Sequence, residues 1–270
     1  MVKVAVNGAL GRMGMRILNL ASRSKDFKII QAFDLDTHSF LGKDIGILLG
    51  FEKALGVEVE NLHEKGTKFR RLLCDVLIDF SGPDGANWCV NAALASKKAL
   101  VIGSTGLDQQ AVEKIKTAST KIPILFSPNM SVGANFIFEI ARLAAAKLKS
   151  GYDIEIIEAH HRSKKDAPSG TAKKIAEVIA KEKGWDLKKV ARYGREGFTG
   201  ERTSDELGIH VIRGGDIVGE HTVMFSGPGE TVEFKHTALS RDAFARGALV
   251  AALFLSKKKN GLYNMLDVLK

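Results

Sequence analysis

Cysteine and tryptophan are scarce, at two residues each, and the 270 residues include only five prolines and three tyrosines. Two cysteines cannot build a disulfide framework. Cys74 and Cys89 lie among apolar neighbours, at a spacing that fits neither a zinc knuckle nor a CxxC redox pair, so both read as core thiols. No apolar run approaches the roughly 20 residues that cross a bilayer, so no membrane association is expected. The first residues enter a strand pattern at once instead of a secretion signal, and the expected address is the cytoplasm. Acidic residues are outnumbered, giving a net charge of +9, yet the basic residues are scattered apart from Lys164-Lys165 and Lys257-Lys258-Lys259. No aromatic and basic residues interleave, so no nucleic-acid partner is expected; a positive field drawing in an anionic small molecule accounts for the charge equally well. What remains, 26% charged and 45% hydrophobic residues, is the composition of a globular protein with one large core or two ordinary ones.

The apolar pattern supplies the architecture. VKVAVNG (2 to 8) reads as a buried strand ending in a turn, Met13, Ile17, Leu20 and Ala21 share one helical face, and FKIIQAF (27 to 33) reads as a second strand. Further strands are predicted at 75 to 81, 99 to 104 and 122 to 127, separated by helices at about 84 to 97 and 108 to 119. Strands alternating with helices predict a Rossmann-like, doubly wound parallel sheet, because parallel neighbours need a crossover. After Pro128-Asn129 the rhythm changes. A helix at about 133 to 149, the strand YDIEIIEAH, a helix opening near Ser169 and three strand-like runs between 207 and 238 predict a second, α+β domain with a mixed or antiparallel sheet. A last helix starting near Ser240 should return to the first domain. The expected division is 1–130 with 240–270 as a dinucleotide-binding domain, and 131–239 as a substrate-binding and oligomerisation domain.

Two segments carry chemistry. Between the first strand and helix lies Gly8-Ala9-Leu10-Gly11-Arg12-Met13-Gly14, a variant of GxGxxG that keeps the last two glycines and displaces the first. Such glycines permit a tight turn, close approach to a pyrophosphate and close helix packing, although a ligand-free turn can want them too. Asp34 ends the second strand 20 residues after Gly14, where a carboxylate can accept the adenosine ribose hydroxyls. Its charge should repel a 2′-phosphate, and Leu35 beside it offers no cation to hold one. NADH should therefore be accepted at least as well as NADPH.

The second segment is EAHHRSKKDAPSGTA, Glu158 to Ala172. As metal ligands, the adjacent His160 and His161 would point to opposite faces of a strand, and no HExxH motif or cysteine cluster completes a shell; no metal is expected. As a solvated basic face, Lys164 and Lys165 are ordinary. Yet Ser169 can cap a helix whose open amides, flanked by lysines and histidines, suit a carboxylate. Histidine or a partly desolvated lysine can also supply a proton near neutral pH.

This block, with Gly8 to Gly14, Gly103-Ser104-Thr105-Gly106, Ser127 to Ser131, Tyr193-Gly194-Arg195, Gly214 to His221 and Ser240 to Ala248, resembles the dihydrodipicolinate reductases, also called 4-hydroxy-tetrahydrodipicolinate reductases, over nearly the whole chain. The resemblance implies NADH- or NADPH-dependent reduction of a cyclic imine dicarboxylate in lysine and diaminopimelate biosynthesis, with hydride to C4, a proton to C3, and a homotetramer. It implies that Gly8, Ala9, Leu10, Gly11, Arg12 and Met13 hold the pyrophosphate and Asp34 the ribose. Gly103, Ser104, Thr105, Ser127, Pro128, Asn129 and Met130 would line the nicotinamide end. His160 and Lys164 would handle protons, and His161, Gly170 and Thr171 would contact the substrate carboxylates. Ser104 stands where many members have threonine, and Leu35 where NADPH-preferring members carry arginine. A dehydrogenase acting on another amino or imino acid, or a nucleotide sensor without turnover, would share the first domain but would not need the second segment.

Overall fold

The computed structural model describes residues 1–35, 38–62 and 70–270. The chain forms two compact units, Met1–Ser131 with Arg241–Lys270, and Val132–Ser240. In the first unit, β1 (Val2–Asn7), α1 (Arg12–Ser22), β2 (Phe27–Asp34), α2 (Ile45–Leu48), β3 (Val59–Asn61), β4 (Val76–Asp79), α3 (Pro83–Ser96), β5 (Ala99–Ile102), α4 (Gln109–Ser119) and β6 (Pro123–Phe126) follow in order. The second unit holds α5 (Val132–Lys147), β7 (Asp153–His160), α6 (Gly170–Lys183), α7 (Leu187–Val190), β8 (Ala191–Arg192), β9 (Leu207–Arg213), β10 (Glu220–Gly227) and β11 (Glu230–Thr237). The chain then returns to the first unit as α8 (Asp242–Leu255), β12 (Gly261–Tyr263) and α9 (Met265–Val268).

The first sheet has the order β12-β6-β5-β4-β1-β2-β3, and all its neighbours are parallel. Alternation explains how both faces are covered. Val4, Val6, Val76, Ile78 and Val101 join one core with Ile17 and Leu18 of α1 and Leu249 and Leu255 of α8. Their neighbours Ala5, Leu77, Leu100 and Ile102 join a second core with Cys89 of α3 and Ile115 of α4. Central strands buried on both sides cannot alternate in polarity, hence the unbroken apolar runs. β1 pairs with β2 on one side and β4 on the other; the chain order reverses there, and a crevice opens beyond the strands' carboxyl ends.

The second sheet, ordered β11-β10-β7-β9-β8, is mixed: β7 and β8 run parallel to β9, while β10 is antiparallel to β7 and β11. Ile154, Ile156, Ile209, Val223 and Phe225 face Ile137 and Phe138 of α5 and Ile175 and Ile179 of α6 in one buried cluster. The alternate residues Glu155, Ile157, His210, Thr222 and Met224 stay half-buried.

Among the described residues six short elements escaped the periodicity: the edge strands β3, β8 and β12, and helices α2, α7 and α9. Among the described residues no helix is long and apolar enough to cross a membrane.

Candidate active site

In the first unit the candidate residues gather at the carboxyl ends of β1, β2, β5 and β6. The chain leaves β1 through Gly8, whose φ is 75°; a Cβ there would stand 2.7 Å from the Phe80 carbonyl oxygen and 2.9 Å from Ser81 Cα. Gly14, in the first turn of α1, would place a Cβ 2.0 Å from the Gly8 oxygen. Both positions therefore need glycine for close backbone approach. The turn is held from β2: the Ala9 N–H donates to the Phe33 carbonyl at 2.9 Å, and the Leu10 N–H to Asp34 Oδ2 at 2.7 Å. Asp34 Oδ1 accepts the Leu35 N–H at 2.8 Å. Gly11 gives α1 no side-chain cap, and no acidic residue occupies its first turn. That end of the helix is left as an anion-binding position.

Two cavities open there. One, of about 310 Å³, is bordered by Gly8, Gly11, Asp34 and Leu35. The other, of about 390 Å³, is bordered by Met13, Gly103, Ser104, Thr105, Pro128, Asn129 and Met130. Ala9 and Ser127 are buried, Leu10 is half-buried and Arg12 exposed; these four border neither cavity. Phe80, Ser81 and Gly82 border both, and sequence reasoning gave them no role. Their signal was the Ser-Gly-Pro run ending a predicted strand, on the side where such sheets take ligands.

Beneath these loops Asp79 is fully buried. Its Oδ1 accepts Asn7 Nδ2 at 2.9 Å and Ser81 Oγ at 2.5 Å, and its Oδ2 accepts Ser104 Oγ at 2.6 Å. Burial raises its pKa despite the donors from Ser104, Ser81 and Asn7.

In the second unit, β7 ends at His160, and residues 161–169 lead to α6. Ser169 caps that helix, its Oγ accepting the Ala172 N–H at 3.2 Å. Gly170 is exposed with open space before it, and Thr171 is half-buried. Lys164 Nζ lies 2.8 Å from Asp166 Oδ1, His161 Nδ1 lies 2.8 Å from Ser163 Oγ, and Lys165 is exposed. The five residues expected at the substrate thus run from the end of β7 through one loop to the start of α6. Among the described residues no group of three His, Cys, Asp or Glu could hold a metal ion.

His160 is only 8% exposed, and Glu158 is wholly buried. His160 Nδ1 lies 2.5 Å from Glu158 Oε2. Arg213 clamps that carboxylate with Nη1 at 2.8 Å and Nη2 at 2.9 Å, and the Ser169 N–H donates to Oε1 at 2.8 Å. Burial pushes the Glu158 carboxyl up, but Arg213, His160 and the Ser169 amide outweigh it and hold the pKa below the ordinary value. Burial lowers the pKa of His160, against the raising effect of Glu158. His221 packs edge-on to His160 with ring centroids 5.1 Å apart, and its Nε2 lies 3.0 Å from Ser169 Oγ. Burial, then the neighbouring His160, brings its pKa down to about 3. Glu158 was legible as same-face neighbour of His160, two residues away on a strand; Arg213 and His221 were not, since only sheet register brings them in.

Comparisons with known proteins agree along the whole chain. Residues 2–130 match the family model "Dihydrodipicolinate reductase, N-terminus", and residues 133–269 match "Dihydrodipicolinate reductase, C-terminus". A 4-hydroxy-tetrahydrodipicolinate reductase of Nitrosomonas eutropha is 46% identical over 269 residues, covering 100% of this chain and 98% of the relative. That of Methanocaldococcus jannaschii is 44% identical over 274 residues, covering 100% and 97%. In structure, a dipicolinate-bound dihydrodipicolinate reductase from Paenisporosarcina sp. TG-14 superimposes with a TM-score of 0.75 at 23% identity, covering 98% of this chain and 97% of that one. An amine dehydrogenase from Mycobacterium smegmatis reaches 0.59 at 12% identity, covering 98% and 95%. These two likenesses speak to the fold alone. The full-length matches speak to descent, and the chain belongs to the dihydrodipicolinate reductase family, NAD(P)H-dependent oxidoreductases of lysine and diaminopimelate biosynthesis.

Proposed function

We propose that the chain reduces 4-hydroxy-tetrahydrodipicolinate to tetrahydrodipicolinate with NADH or NADPH, using the first unit for the dinucleotide and the second for the substrate. The observation that carries this reading is the carboxylate-anchored His160 beside Lys164 at the open start of α6, in a chain matched end to end by the family. The uncapped first turn of α1 and the close-packed glycines fit a pyrophosphate. Gly8 to Met13 would hold it, Asp34 would meet the adenosine ribose, and Gly103 to Thr105 with Ser127 to Met130 would bound the nicotinamide end. Bound NAD(P)H supplies the hydride.

The chain's own residues supply the rest. Loss of the 4-hydroxyl as water, with a hydrogen from C3, leaves a conjugated cyclic imine, and hydride at its C4 then leaves an enamine that must gain a proton at C3. His160 and Lys164 would deliver it. His161, Gly170 and Thr171 would hold the substrate carboxylates, with the α6 amides adding partial positive charge. Asp34 and the uncharged Leu35 favour NADH at least as much as NADPH. The second sheet's outer face carries Ile157, Met224 and the half-exposed Ile212, which supports a homotetramer assembled there; a cytoplasmic address fits a biosynthetic enzyme of this kind.

One assay tests the reading. With a synthase supplying the unstable substrate, oxidation of NADH and NADPH is followed by nicotinamide absorbance for wild type, His160→Gln and Lys164→Ala. Substrate-dependent oxidation by the wild type is expected, with a loss of about 10²-fold or more in each variant. No oxidation by the wild type would sink the activity, and undiminished variants would sink the proton-transfer roles.

A further inference from the structure

We propose that Glu158, locked by Arg213, is the positioning residue that fixes which nitrogen of His160 exchanges a proton. This rests on the reading of His160 as a proton donor.

The geometry builds from the strand. Residues 158 and 160 of β7 share a face, and β7 pairs with β9 so that His160 lies opposite Arg213. Arg213 reaches back to both Glu158 oxygens, a two-pronged contact that sets the carboxylate plane. The same guanidinium donates to the Asp166 carbonyl at 2.7 Å and the Ile212 carbonyl at 2.8 Å, so it also ties Glu158 to the loop that carries Lys164. With the Ser169 amide on Oε1, Glu158 can reorient only by breaking several charge-assisted bonds. A wholly buried carboxylate held this way is a fixed reference point for the imidazole.

An ionised carboxylate only accepts hydrogen bonds. The 2.5 Å contact therefore places a hydrogen on His160 Nδ1, and Nε2 is the nitrogen left to gain and lose a proton. Nε2 lies beside Gly219, where a Cβ would come within 3.1 Å of it, so a side chain at that position would press on this nitrogen. In the proton-transfer step the Nε2–H bond breaks, the proton bonds to the carbon carrying the enamine electron pair, and the imidazole is left neutral with Nδ1–H still on Glu158. Glu158 stays ionised throughout.

Charge works with geometry. Burial, Lys164 and Arg213 all disfavour the imidazolium, and Glu158 is the group that favours it. His221, packed on the ring from β10, adds no positive charge, since burial and His160 keep it neutral. Without the carboxylate, His160 would hold its proton only at lower pH.

The test uses the full chain. Ring nitrogen resonances of His160, assigned by their loss in His160→Gln, report tautomer and protonation directly. In the wild type the neutral ring is expected as the Nδ1–H form. In Glu158→Gln, Nε2–H is expected to appear and protonation to move to lower pH. Turnover should fall about 10²-fold in kcat with KM changed less than about threefold, the basic limb of its pH profile moving down, and Glu158→Asp recovering part of the loss. A wild-type ring that is predominantly Nε2–H overturns the proposal, and so does a Glu158→Gln chain with an unaltered tautomer and pH profile. The wild-type spectrum decides even if Glu158→Gln fails to fold. Full activity in His160→Gln would instead remove the role of His160 in turnover, while the spectra still read the hold of Glu158 on the ring.

Discussion

The Ser104 hydroxyl donates to the buried Asp79 at 2.6 Å and accepts the Gly82 N–H at 2.9 Å, so one side chain joins the loops that follow β4 and β5. Both loops border the 390 Å³ cavity. Ser104→Ala would leave a donor to Asp79 missing and the Gly82 amide without its acceptor, at about 1–3 kcal/mol for the orphaned group. Urea denaturation should show that loss, and titration with NADH should show weaker binding. Ser104→Thr keeps the hydroxyl and should retain both. An alanine variant with unchanged midpoint and affinity would mean that the bridge does not organise the loops.

Gly8 offers a sharper probe of the turn, because two separate effects forbid a side chain. Its φ of 75° disfavours any L-residue, and its Cβ would meet the Phe80 and Ser81 backbone at 2.7 to 2.9 Å. Gly8→Ala should lower stability by about 1–3 kcal/mol and weaken dinucleotide binding more than Gly170→Ala does, since a Cβ at Gly170 meets open space. Equal NADH affinity in Gly8→Ala and wild type would separate the turn from the cofactor.

Cofactor choice should turn on two neighbouring residues. Asp34 is fixed by the Leu10 and Leu35 amides, so it cannot swing away from a 2′-phosphate, and Leu35 is exposed beside it. NADH is expected to support kcat/KM at least equal to that with NADPH, and Leu35→Arg should shift the ratio toward NADPH. A wild-type preference for NADPH beyond about tenfold, or about 1.4 kcal/mol, would overturn this reading of Asp34 and Leu35.

Periodicity exposes what is buried and repeated. β1, β2, β4, β5 and β6 were legible because strands covered on both faces must be apolar, and the switch to successive strands after α6 showed a different kind of sheet. β3 and β12 are three-residue edge strands, too short to show a period, and β12 follows Lys257-Lys258-Lys259-Asn260, which reads as a solvated run. At the candidate site, Gly8, Asp34 and the His160 to Thr171 block could be picked out because each needs a residue type at a local spacing. Asp79 and Arg213 could not. Each acts through partners 20 or more residues away, Ser104 for one and Glu158 for the other, and only folding brings them into register.

Acid should act on the second unit through Glu155. Burial pushes this carboxyl up, yet Arg195, His210 and Arg202 bring its pKa down to about 2 from an ordinary 4.5. Arg195 Nη2 lies at 2.9 Å, His210 Nε2 at 2.7 Å and Arg202 Nε at 3.0 Å, so the carboxylate anchors the segment between β8 and β9. A folded pKa below the unfolded one contributes stability that is complete above about pH 4.5 and is lost as the pH falls toward 2. Wild-type stability, measured by urea denaturation across that window, should therefore fall with falling pH. Glu155→Gln should be less stable than wild type near neutrality, because the guanidiniums of Arg195 and Arg202 lose the carboxylate they bond, and the gap should narrow steadily toward pH 2. Glu158, lowered in the same sense by Arg213, will leave some acid sensitivity in the variant. A gap that stays constant across the window would show that the Glu155 charge does not hold this part of the fold.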